Sequence, residues 1–193
     1  MGRHTSPPAT ERDLYRVPGG GKAELVGGRL VIMEPTGALP AYAGGEIFAS
    51  LRAYARRTGR GHALPDNVAF LVDLPHRRSL SPDAAYYLGE LSMRFAEGAP
   101  AFAAEVRSEG DYGPAAEAAI AAKRADYFAA GTLVVWDVDL LGADTVRVYR
   151  RDDPGAASVY RRGDLAEAEP AVPGWTMAVD DLFPQDVPPA RPG

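Results

Sequence analysis

The chain reads as a mixed α/β domain, a mixed sheet flanked by helices. Three observations predict this: a hairpin signature near the start, an amphipathic helix after it, and short apolar strands interrupted by one alanine-rich helix. The hairpin comprises 23–26 and 29–33 around Gly27-Gly28, a pair suited to the positive φ of a tight turn. Between Tyr42 and Arg57, Ile47, Leu51 and Tyr54 recur at three- and four-residue spacing. That spacing predicts a helix with Arg52 and Arg56 off its apolar face and Glu46 beside the stripe. Residues 68–72 form an almost continuous apolar strand, and the turn His76-Arg77-Arg78 leads to a strand that carries Asp83, with Pro82 at its start. The next strand covers 102–107. Pro114 opens and Gly131 closes a helix through 115–130. Segments 133–138, 145–149 and 158–161 supply further strands.

Composition places this in one domain, 13–183, between a leader at 1–12 and a proline-rich tail at 184–193. With 193 residues and 46% hydrophobic content, the chain can bury one sizeable core. No apolar run approaches a membrane span and no charged-then-apolar leader is readable, so a cytoplasmic protein without membrane partners is expected. The absence of cysteine excludes disulfides, thiolate metal sites and cysteine nucleophiles. A net charge of −5 and a pI of about 5.2 argue against a broad basic surface for nucleic acid. Local basic text exists at Arg52, Arg56, Arg57 and Arg60 and at His76-Arg77-Arg78, where ordinary solvated surface is the competing reading.

The chemistry concentrates in Asp83, Glu105 and Lys123. Two carboxylates inside apolar strand text are costly to bury unless they are paired, hydrogen-bonded or bound to a cation. A shared hard ion such as Mg²⁺ or Mn²⁺ accounts for both, because it takes one or two carboxylates and fills its other positions with water and phosphate. The plainer alternative is a buried ion pair with a nearby arginine such as Arg107. Lysine is scarce: Lys22 and Lys123 are the only two among 21 basic residues, so a lysine on the helix after Glu105 stands out.

These residues carry a resemblance. An acid after proline (Pro82-Asp83), then Glu105-Val106-Arg107 ending a strand, then a helix with Lys123 and Tyr127 four residues apart, resembles the PD-(D/E)XK nuclease superfamily. More narrowly, the pattern is similar to a large bacterial family of restriction-endonuclease-like proteins of unknown target. Supporting phrases are Ala23-Glu24-Leu25-Val26-Gly27-Gly28-Arg29-Leu30 and the run from Ala130 to Asp139. The resemblance covers roughly residues 13 to 183. It implies a restriction-endonuclease-like αβββαβ core, with the hairpin before it and added strands after it. It also implies hydrolysis of DNA, with RNA as a further possible substrate, and a homodimer. Asp83 and Glu105 would ligate the metal with the Val106 carbonyl, and Glu46, in preference to Glu24, would add a further carboxylate.

One position departs from the pattern. Arg107 stands where the superfamily usually has lysine. Arginine keeps its proton, so Arg107 would stabilise phosphate charge and Lys123, with a lowered pKa, would position or activate water. On that reading Arg107→Lys restores the usual residue and is expected to preserve or raise activity.

Other signals are weaker. Gly19-Gly20-Gly21-Lys22 lacks the Ser or Thr of a phosphate loop, and Arg16 stands where its first glycine belongs. His4, His62 and His76 show no zinc spacing. Tyr86 and Tyr87 beside Asp83 could stack bases, although alternation sends one of them to the core. Trp136 is expected in the core. The acidic pI, the Arg107 departure and the lack of an obvious DNA-reading element motivate a second reading, a non-catalytic interaction module on the same fold.

Overall fold

The structure, a computed structural model, describes residues 7–142 and 145–184. His4, the start of the leader and nearly all of the tail lie outside the described residues. A short helix α1 (Glu11–Leu14) precedes the hairpin β1 (Ala23–Val26) and β2 (Arg29–Ile32), whose turn glycines take φ of 56° and 71°. Helix α2 (Ala38–Thr58) follows, then β3 (His62–Pro65), β4 (Phe70–Leu71), β5 (Ser79–Leu80), β6 (Ala84–Tyr87), β7 (Ala96–Glu97) and β8 (Phe102–Val106). Helix α3 (Pro114–Ala130) leads to β9 (Val134–Asp139), β10 (Thr145–Arg150), β11 (Asp153–Arg161), β12 (Leu165–Glu167) and β13 (Thr176–Ala178).

Six strands form the central sheet in the order β11-β10-β9-β8-β6-β3. Within this sheet, among the described residues, only the β8–β9 pair is parallel, and α3 supplies the crossover that a parallel pair needs. Alternation assigns the faces. Ala84, Tyr86, Phe102, Ala104, Val134 and Trp136 face Ile47, Leu51 and Tyr54 of α2. Ala85, Tyr87, Ala103 and Val135 face Tyr127 and Phe128 of α3. Alanines at the centre of β6 and β8 let both helices approach closely. By the same alternation Glu105 belongs to the α3 face.

Helix α3 follows its sequence signals closely, from Pro114 as first residue to Gly131 at φ 114°. Several elements differ from expectation. Asp83 is not inside a strand but in the bend just before β6. The apolar run 68–72 contributes only Phe70 and Leu71 to a three-stranded side sheet, β5-β4-β7, because its side chains pack between two cores and do not extend the main sheet. Tyr86 and Tyr87 are 2% and 4% exposed, one in each core, with hydroxyls bonded to the carbonyls of Arg60 and Glu97. Neither can stack a base. No helix among the described residues is long and apolar enough to cross a membrane.

Candidate active site

The bend before β6, the end of β8, the middle of α3 and the entry to β1 meet at one cleft of about 510 Å³. Asp83 reaches it because its backbone N–H donates to the Ala104 carbonyl, and its Oδ2 accepts from the Val106 N–H at 2.7 Å. Gly44 of α2 packs against this bend: a Cβ there would lie 3.6 Å from the Asp83 Cβ, in ordinary contact. Glu105 projects from β8 toward α3. Its Oε2 accepts from Lys123 Nζ at 2.9 Å and its Oε1 from the Tyr127 hydroxyl at 2.5 Å. Lys123 and Tyr127, one helical turn apart, thus hold the two oxygens of one carboxylate.

Glu24, and not Glu46, completes the cluster. Its Oε1 lies 3.1 Å from Lys123 Nζ and accepts from the Ser81 N–H at 2.8 Å, which braces the segment leading into Asp83. Arg77 closes on the other oxygen of Glu24 and reaches Asp126 of α3 through Nε at 2.6 Å. Arg77 is therefore buried between two acids, contrary to the solvated-turn reading, while His76 and Arg78 stay exposed. Glu46 lies outside the cleft lining and faces Tyr42, one turn earlier on α2. Its helix presents Gly44 to Asp83, so an acid two residues on points elsewhere.

Arg107 is placed away from the cleft. Its Nε and Nη2 donate to the two oxygens of Asp137 at 2.7 and 2.8 Å, and its Nη groups also grip Glu117 at the start of α3. With its side chain 3% exposed and its fork occupied, Arg107 ties β8, β9 and α3 together. Four of its five N–H donors are committed to these two carboxylates, and the side chain does not line the cleft. Arg52, Arg56, Arg57 and Arg60 are exposed on and beyond the C-terminal half of α2, and none lines the cleft.

Lys22 is the residue that sequence reasoning left without a role. Its Nζ lies 2.6 Å from Asp83 Oδ1 and 2.7 Å from Asp66 Oδ1. Two carboxylates on one ammonium rule out a phosphate-loop role for the glycines before it. Both lysines of the chain therefore sit on this acid cluster. Their scarcity was the available signal, and it applied to Lys22 as well as Lys123.

The electrostatics reverse one expectation. Burial works against charge on the Lys123 amine, but Glu105, Glu24 and Asp83 outweigh it and hold the pKa above its ordinary value. Lys123 is an ammonium here and not a neutral base. Burial raises the Glu105 pKa; Asp83 and Glu24 push the same way, while Lys123 and Lys22 pull it back. Burial, followed by the charge of Glu105, lifts the Tyr127 hydroxyl far above its usual range, so it remains a donor.

The residues fit a hard divalent ion. The cleft is lined by the carboxylates of Glu34, Asp66, Asp83, Glu105 and Asp111 against two ammonium groups, an excess of negative charge that repels a phosphodiester unless a cation enters. Asp83 and Glu105 have side chains 20% and 24% exposed, and each carboxylate has used only part of its acceptor capacity. Among the described residues no group of three or more Asp, Glu or His is disposed around a single point. The donor set is that of an ion taking two carboxylates and filling the rest with water and phosphate.

Residues 11–180 match the Uma2 family, described as "Putative restriction endonuclease". No curated protein matches the chain. Among solved structures, a crystal structure of a "putative nuclease belonging to DUF820" from Anabaena variabilis superposes with a TM-score of 0.71 at 18% identity, over 91% of this chain and 98% of that one. That likeness shows the nuclease fold, and the family match extends over most of the sequence. The chain belongs to the Uma2 family.

Proposed function

We propose that this protein is a Mg²⁺- or Mn²⁺-dependent endonuclease that hydrolyses DNA phosphodiester bonds. The observation that carries the reading is the convergence of Asp83, Glu105 and Lys123 on one acidic cleft. Asp83 and Glu105 would hold the ion, with the Val106 carbonyl beside them. When bound, such an ion supplies Lewis-acid polarisation of the phosphate and a water of lowered pKa. Lys123 contributes a fixed positive charge to the phosphate as the reaction develops, and Glu24 sets its direction. Tyr127 orients Glu105 through a hydrogen bond, and Arg77 fixes Glu24 against Asp126. The arrangement provides charge stabilisation and positioning, which dominate phosphoryl transfer. DNA is the substrate implied by the family, with RNA forms included in the test. The homodimer implied by the same resemblance is a separate proposal, read by light scattering.

A second reading, a non-catalytic module on the nuclease fold, draws on the ammonium groups that already compensate both acids and on the locked Arg107. Incubation of purified protein with supercoiled, linear duplex and single-stranded DNA and with RNA, in Mg²⁺ or Mn²⁺ and with chelator, separates the two. Ion-dependent cleavage lost in Asp83→Asn and Glu105→Gln is the expected result. No cleavage of any form by folded wild type would establish the second reading.

A further inference from the structure

The cleft contains a cation that neither the superfamily motif nor the reading above uses. Lys22 follows Gly19 and Gly20, both at positive φ, and the extended Gly21, and its carbonyl accepts from the Met33 N–H, which extends the hairpin ladder by one residue. Two residues later on the same side comes Glu24, so the start of the hairpin delivers one ammonium and one carboxylate to the cluster. Lys22 Nζ is shared by Asp66 and Asp83 at 2.7 and 2.6 Å. Lys123 Nζ is shared by Glu105 and Glu24 at 2.9 and 3.1 Å. Asp83 and Glu105, the two acids with room for a metal, are thus each flanked by a tethered positive charge.

Sites that hydrolyse phosphodiesters with two metals place the ions about 3.5–4 Å apart, one serving the attacking oxygen and one the leaving oxygen. Here the position between Asp66 and Asp83 already holds a point charge. An ammonium is compact and donates in three directions, so it can satisfy two carboxylates and still present a proton to a third oxygen. The Lys22 side chain is only 16% exposed, and Asp66 at 47% leaves the outer side of the pair open to the cleft.

We propose that Lys22 is a built-in cation that takes the place of a second divalent ion between Asp66 and Asp83, so that the cleft binds one metal ion and Lys22 supplies the other positive charge to the phosphodiester. The inference rests on the divalent-ion reading of Asp83 and Glu105 and specifies its stoichiometry. Removal of the ammonium leaves Asp66 and Asp83 as an uncompensated pair facing one point, which is a vacancy for a second ion.

The test counts bound Mn²⁺ by calorimetric titration and by electron paramagnetic resonance of the free ion. It uses wild type, Lys22→Met, Lys22→Gln and Lys22→Met/Asp66→Asn, each checked for fold by circular dichroism. One ion per chain is expected in wild type, two in either single variant, and one again in the double variant. The two single variants are carried in parallel so that a loss of fold in one leaves the other to decide. Two ions in wild type, or a single ion in the folded Lys22 variant, overturns the role given to Lys22 while the divalent-ion reading stands. Folded wild type that binds no ion overturns that reading itself.

Discussion

Two acid clusters lie side by side on the α3 face of the central sheet and differ in the cations that serve them. Glu105 of β8 and Asp137 of β9 are direct register neighbours. Glu105 and Asp83 are served by lysines, and Glu24 is shared between Lys123 and Arg77. Asp137, with Glu117 and Asp139, is served by Arg107 and Arg147. The guanidinium fork matches a carboxylate oxygen for oxygen, so the Arg107–Asp137 pair closes on itself with both side chains 3% exposed. A lysine offers a single point of charge, so Asp83 and Glu105 keep acceptor capacity on the cleft side. The same residue types, one strand apart, form a structural clasp in one case and a reactive surface in the other.

The largest expected effect follows from that contrast. Asp83→Asn and Glu105→Gln should each lower DNA cleavage by about 10²–10³-fold or more, the scale of removing a group that stabilises developing charge. Asp139→Asn, in the closed cluster, should change turnover by less than about tenfold. Initial rates on one substrate at saturating Mn²⁺ make the comparison. An Asp139 variant as inactive as the Asp83 variant would mean that the division between clusters is wrong.

Stability should show the reverse ranking. Removing one partner of a buried ion pair typically costs about 3–5 kcal/mol, because the other charge is left unpaired. Asp137→Ala should therefore lower the melting temperature by roughly 6 to 20 °C, at about 2–4 °C per kcal/mol for a domain of this size. Arg107→Lys should also destabilise, since one ammonium cannot reproduce the four bonds that the guanidinium fork makes to Asp137 and Glu117. The sequence-based expectation concerned activity, preserved or raised; the clasp adds a cost in stability. Thermal melts of both variants decide it, and a melt unchanged in Arg107→Lys would show that the clasp does not need the fork.

Divalent ion should act on one cluster only. Binding to the native state stabilises by about 2.7 kcal/mol at 100 times the dissociation constant, or roughly 5 to 10 °C here. The Mn²⁺-induced shift should persist in Asp139→Asn and vanish in Asp83→Asn/Glu105→Gln. Equal shifts in the two variants would place the ion elsewhere.

The sequence carried much of this arrangement but not its division. The hairpin, α3 and the order Asp83, Glu105, Lys123 were legible because glycine pairs, caps and apolar spacing are local signals. The short strands β3, β4, β5 and β7 were poorly legible, since two- to four-residue segments have no periodicity to read. Glu46 was preferred over Glu24 by analogy with a helix position, yet the turn of α2 presents glycine to Asp83. Arg107 was read as phosphate-facing because it occupies the position where the superfamily usually has lysine. Its partner Asp137 is 30 residues away in sequence and only the parallel pairing of β8 with β9 brings them together. Lys22 was passed over because, with the phosphate-loop pattern failing, its Gly-rich approach reads as a plain loop before the hairpin, and nothing local announced Asp66 and Asp83 as its partners.

The smallest effect separates the clusters by pH. Burial works against the Asp139 carboxylate, but the Gly142 N–H, the Tyr112 hydroxyl, Arg107 and Arg147 outweigh it and lower its pKa from 3.8. Below 3.8 the unfolded chain takes up a proton that the native state still refuses, so this stabilisation is present above 3.8 and is lost as pH falls through the lowered value. Glu105 has the opposite sign. Its pKa is raised from 4.5, chiefly by burial, so above 4.5 the native state keeps a proton that the unfolded chain has released. Stability must then decline as pH rises from 4.5 through the raised value. Urea midpoints of metal-free protein from about pH 3 to 7 cover both windows. Asp139→Asn should flatten the acid-side rise, and Glu105→Gln should flatten the decline above it. A Glu105→Gln profile that declines as steeply as wild type would mean that Glu105 is ionised in the folded state at its ordinary pH, and that the cleft holds its charge as completely as the arginine clasp does.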